Sequence, residues 1–96
     1  MRVVIKRSSK PGKKFSADVG EKLIHFGDSN YQDFTDHKDV ERKKRYIRRH
    51  RKNENWRDVK TAGFLSKNIL WNRPTLRESV KDLNSRHKNV FFELKL

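Results

Sequence analysis

The chain has 96 residues, 32% of them apolar and 39% charged, with 25 Lys and Arg against 12 Asp and Glu and a formal net charge of +13. That composition supports one small domain with a thin core. It contains no cysteine, which excludes disulfides and thiolate metal sites, and no apolar run approaches the ~18–20 residues of a membrane span.

A charge of +13 predicts attraction to polyanions: nucleic acid, anionic lipid or an acidic protein face. Charge and low hydrophobicity approach those of disordered chains, yet six Phe, two Tyr and two Trp spread along the sequence argue for a fold. The N-terminus lacks the apolar core of a signal peptide, so a cytosol-like, reducing compartment is expected.

Residues 1–14 read as a basic N-terminal arm or strand. Val3, Val4 and Ile5 are β-branched, Pro11-Gly12 is a turn signal, and six bases occur with no acid. Residues 15–96 read as a single compact domain. Phe15, Ala17 and Val19 alternate before Gly20, with Leu23, Ile24 and Phe26 beyond it, which predicts a β-hairpin. A lone hairpin is marginal in water, so a third strand is expected from Val3–Ile5 or from the terminal segment after Asn89.

Gly27-Asp28-Ser29-Asn30 is a loop signal. The chain then turns helical from Asp36 to Lys52, with Thr35 or Asp36 as N-cap, Asp39 and Glu41 near the start and arginines near the end. Asp39–Lys43 and Glu41–Arg45 have the favourable i,i+4 orientation. Val40 and Ile47 share one face and Tyr46 and His50 form a second i,i+4 pair; that apolar stripe is narrow, so this helix is expected on the surface. Thr61 is a plausible N-cap for a second helix over Ala62–Trp71, stopped by Asn72-Arg73-Pro74. Thr75-Leu76-Arg77-Glu78 is a capping box opening a third helix that runs to about Arg86. Asn89–Leu96 alternates as an end strand. The sum is a small α+β domain: an N-terminal β-hairpin, joined by the end strand, packed on about three helices.

Three constellations bear on function. His25, Asp28, Asp33, Asp36, His37 and Asp39 crowd together and have the residue types of a divalent-metal nuclease site. Turn and helix-start roles explain the aspartates better, and no catalytic signature occurs elsewhere; no cofactor or metal is expected. The second constellation is the basic helix. Nine bases against two acids between Lys38 and Lys52 exceed what solubility requires. Arg42, Lys43, Arg45, Arg48, Arg49, Arg51 and Lys52 are therefore the candidate polyanion-binding residues, arginine suiting bidentate capture of carboxylate or phosphate. The third is apolar: Trp56 and the Phe64–Trp71 run. Most of it should be core, with Tyr46, Trp56, Phe64 and Trp71 the candidate interface anchors.

Several short strings in order carry a resemblance: H-F-G at His25–Gly27, D-F-T-x-H-K-D at Asp33–Asp39, R-K-x-x-Y-I-x-R-H at Arg42–His50, E-N-W at Glu54–Trp56, T-A-G-F-x-S at Thr61–Ser66 and L-W-x-x-P-T-L at Leu70–Leu76. Together they resemble a family of small basic proteins of large double-stranded DNA viruses of the chlorella-virus and mimivirus kind. The likeness covers roughly Phe15 to Asp82, with Leu65 standing where that pattern more often has an aromatic. It carries over no catalytic residue. What it implies is context: a virion component, made in host cytoplasm and present in multiple copies per particle. The expected role is then a non-enzymatic minor capsid or cementing protein that binds acidic surfaces of the major capsid protein or of other minor capsid proteins. Non-specific binding of double-stranded DNA in genome packaging is the alternative, with an anionic internal membrane as a further partner and a metal-dependent nuclease as the weakest reading.

Overall fold

A computed structural model describes all 96 residues. Four strands, β1 (Arg2–Arg7), β2 (Lys13–Asp18), β3 (Leu23–Asp28) and β4 (Phe91–Leu94), form one mixed sheet in the order β3-β2-β1-β4. β1, β2 and β3 are antiparallel neighbours, and β4 lies parallel to β1. Both expected sources of a third strand contribute, so the hairpin gains a neighbour and that neighbour gains another. Of the two readings of residues 1–14, a strand is what Arg2–Arg7 forms. The turns are set by glycines with positive φ, Gly12 (+86°) after Pro11 and Gly20 (+101°) at the hairpin tip.

The pleat separates two faces. Val3 and Ile5, Phe15 and Ala17, Phe26 and Phe92 fall on one side and are buried. Against them pack Phe64, Leu65, Ile69 and Leu70 from one helical segment, and Val80 and Leu83 from another. Each fully buried side chain of this size stabilises by roughly 1.5–3 kcal/mol. The opposite sheet face carries Lys6, Asp18 and Leu23, all exposed.

The helices are α1 (Phe34–His37), α2 (Val40–His50), α3 (Ala62–Leu65) and α4 (Leu76–Arg86), with a π-helical turn over Ser66–Leu70 continuing α3. The expected single helix from Asp36 onward is thus two. Asp33, not Thr35 or Asp36, caps α1: its carboxylate accepts from Thr35 N–H while Asp36 reaches back to Asp33 N–H. Lys38 then adopts a left-handed φ of 57° and breaks the run, and Asp39 caps α2. With its carboxylate engaged by Glu41 N–H and Arg42 N–H, Asp39 does not pair with Lys43. Glu41 faces Lys44 at 3.7 Å rather than Arg45. Thr61 caps α3 and Thr75 caps α4, both as expected.

Candidate functional site

The site is assembled around α2, and its geometry begins with what holds that helix. Lys14 on β2 donates to Asp33 (2.7 Å) and Asp36 (2.9 Å), clasping α1 to the sheet. Burial opposes the Lys14 charge, but the bonds to the two carboxylates outweigh it and raise its pKa. At the joint between α1 and α2, His37 Nδ1 accepts from Asp39 N–H at 2.9 Å, so the neutral ring carries its proton on Nε2, which is buried without a partner. Burial, with Arg42 nearby, pushes the His37 pKa down and keeps the ring neutral. Farther along, Lys43 donates to the Asn72 carbonyl at 2.6 Å and lies 5.1 Å above the Phe34 ring.

One side chain of α2 is buried, and it is Tyr46 rather than the expected Val40, which is 53% exposed. Tyr46 stacks on Trp71 at 4.3 Å with the rings 3° from parallel, and His50 covers its other face at 4.2 Å. His37 stands 5.3 Å from Trp71. The result is a column, His37–Trp71–Tyr46–His50, linking α2 to the end of the α3 segment. Burial raises the Tyr46 pKa to about 12, so the phenol stays neutral.

Because α2 is fastened at its start and through this column, a cleft opens between it and the body. Its volume is 1020 Å³. Arg42, Arg45, Arg48 and Arg49 line one side, the end of β3 (Phe26–Asp28) and the start of α3 the other. Gly27 is required there, since its φ is +82° and a Cβ would lie 2.7 Å from Leu70 Cδ1. Gly63 leaves room for Glu54, whose carboxylate would lie 2.0 Å from a Cβ there and would have to swing aside. Glu54 itself faces His50 at 3.5 Å.

The candidate residues named from sequence divide by position. Four arginines line the cleft. Lys43 is turned inward to Asn72, and Arg51 and Lys52 lie beyond the cleft at the exposed C-terminal end. Arg42, Arg45, Arg48, Arg49, Arg51 and Lys52 make no ion pair with any carboxylate of the chain. Of the candidate anchors, Phe64 is core at 2% exposure and Tyr46 is closed within its stack, so neither offers a free ring to a partner. Trp71 is half-buried in the column. Trp56 is half-buried beneath Lys67 Nζ, 4.8 Å from its ring.

The histidine–aspartate constellation does not assemble. His25 bonds Ser8, Asp33 and Asp39 cap helices, and no group of three His, Asp or Glu is placed to share a cation. Lys14 shapes the site with no local signal in the sequence, because its partners Asp33 and Asp36 lie 19 and 22 residues away, whereas Gly27 belongs to a loop signal and Glu54 sits one turn from His50.

No curated protein and no solved structure matches the chain. A family model does match residues 3–50, from β1 through the last residue of α2, and so takes in the Lys14 clasp and the arginine wall. By that match over half its length, the chain belongs to the Family of unknown function (DUF5754).

Proposed function

We propose that the protein is a non-enzymatic structural binding protein that uses α2 to dock on acidic surfaces of larger proteins. With the viral resemblance of its motifs, the reading becomes a minor capsid or cementing component of a virion, held in multiple copies against the major capsid protein or other minor capsid proteins. The observation that carries it is the set of six cations on and just after α2 with no carboxylate partner. Other unpaired bases are scattered over the surface, with Arg2, Lys14, Lys60, Arg73 and Arg86 paired among them, whereas these six fall within the single stretch Arg42–Lys52. A fastened helix leaves only the arginine side chains, not the backbone that carries them, to be ordered on binding, which favours docking. Mass spectrometry of purified particles, with cross-linking to locate neighbours, tests this. Copies cross-linked to capsid proteins through α2 are expected, and absence from particles would sink the reading.

Non-specific binding of double-stranded DNA draws on the same cations, since Arg51 and Lys52 are exposed outside the cleft. It predicts binding to any duplex that weakens by orders of magnitude between ~50 and ~200 mM salt. A flat titration at low salt removes it.

A further inference from the structure

Resting on that reading of α2, we infer that the cleft beneath it is the receptor for an extended acidic segment of the partner protein, carrying an apolar side chain between its carboxylates. The wall supports this. Arg42, Arg45 and Arg49 recur at i, i+3 and i+7, one stripe of a helix, over about 10 Å of axis. Their guanidinium forks suit carboxylates, and they are unpaired. Across the cleft runs the end of β3, the outer strand of the sheet, which has no strand on its far side. An extended segment fits beside such an edge, and Leu70 and Trp71 give the cleft an apolar floor.

Single-stranded nucleic acid fits less well. Such ligands combine phosphate contacts with bases stacked on free aromatic faces. Here Tyr46 is covered on one face by Trp71 and on the other by His50, Trp71 gives one face to Tyr46, and His37 stands tilted beside it at 5.3 Å. The cationic wall is available, whereas both faces of Tyr46 and one face of Trp71 are already used.

The test is fluorescence anisotropy with the full chain and a labelled peptide of about eight residues, repeat Glu-Leu-Glu-Gly, long enough to cross the cleft. A single-stranded oligonucleotide of equal charge runs in parallel. Arg45→Glu with Arg49→Glu should weaken peptide binding about tenfold or more. Ala62→Trp, which fills the cleft from an exposed position and alters no charge, should do the same. The charge-matched pair Arg77→Glu and Lys81→Glu, exposed on α4, should leave it within about threefold. Circular dichroism checks that each variant is folded. If Arg51→Glu with Lys52→Glu removes binding while Ala62→Trp does not, the cleft is not the receptor, although docking through α2 stands. If the oligonucleotide binds and the peptide does not, both this inference and the acidic-partner reading fall.

Discussion

α2 and α4 are the same length, eleven residues, and they open and close alike. Each has a side-chain N-cap, a Glu in the first turn and a base in the last. They differ in what they face. α4 buries Ser79, Val80 and Leu83 against the sheet. Its Asp82 is also satisfied internally, taking hydrogen bonds from Asn72 (2.8 Å), Arg73 (3.2 Å) and Arg86 (3.0 Å), while Arg77 and Lys81 point to solvent. α2 buries Tyr46 alone and leaves its arginines without acids. Good capping therefore makes a helix, and burial decides whether that helix holds the domain together or is held out for something else.

The comparison can be pressed hardest at the core. Leu83→Ala on α4 removes a fully buried side chain and should cost ~2–5 kcal/mol, read as a lower urea midpoint. Ile47→Ala on half-buried α2 should cost clearly less; equal losses would mean that α2 is as structural as α4. Tyr46→Ala comes next, at about 2–3 kcal/mol, because it empties the middle of the aromatic column. Its signature should be local. Hydrogen exchange should speed up through α2 while β1–β4 stay protected.

The Asp82 clasp gives a smaller, pH-dependent difference. Burial works against its charge, but hydrogen bonds from Asn72, Arg86 and Arg73 dominate and lower its pKa from 3.8 to about 2. A carboxyl depressed on folding stabilises fully above its unfolded value and loses that contribution as pH falls through the folded one. Between about pH 4 and pH 2 the wild type should therefore lose on the order of 1 kcal/mol, allowing for screening at a partly open site. Asp82→Asn should be less stable at neutral pH and lack that part of the acid slope in chemical denaturation. The smallest effect belongs to the arginines. Arg45→Glu with Arg49→Glu should change stability by no more than about 0.5 kcal/mol, while weakening binding of the proposed acidic peptide about tenfold or more. A large stability loss would show that the arginines serve the fold.

Sequence reading went furthest where the cause is local. The hairpin about Gly20, the caps at Thr61 and Thr75, and the stop at Pro74 depend on neighbours within a few residues, and all appear in the fold. The single long helix from Asp36 failed because two aspartates, Asp33 and Asp39, each cap a helix, and a non-glycine residue, Lys38, takes the left-handed turn between them. Periodicity gave Val40 with Ile47 and, as a second pair, Tyr46 with His50, and the second pair is the one that stacks, at 4.2 Å. Burial follows Tyr46, because its partner Trp71 lies 25 residues away and no helical period encodes that distance. The arginines were legible as a group, but their division between a cleft and an exposed helix end was not.

By itself, the amino-acid sequence determined a basic, cysteine-free α+β domain with a cationic helix, because composition, caps and glycine turns act over short range. Tertiary structure decided that β1 and β4 share the sheet, that the histidines and aspartates serve turns, caps and stacking instead of meeting at a metal, and that α2 stands over a 1020 Å³ cleft. Those outcomes rest on contacts between residues far apart in the chain, Lys14 with Asp33 and Tyr46 with Trp71. Such contacts are selected by the packing of the whole domain.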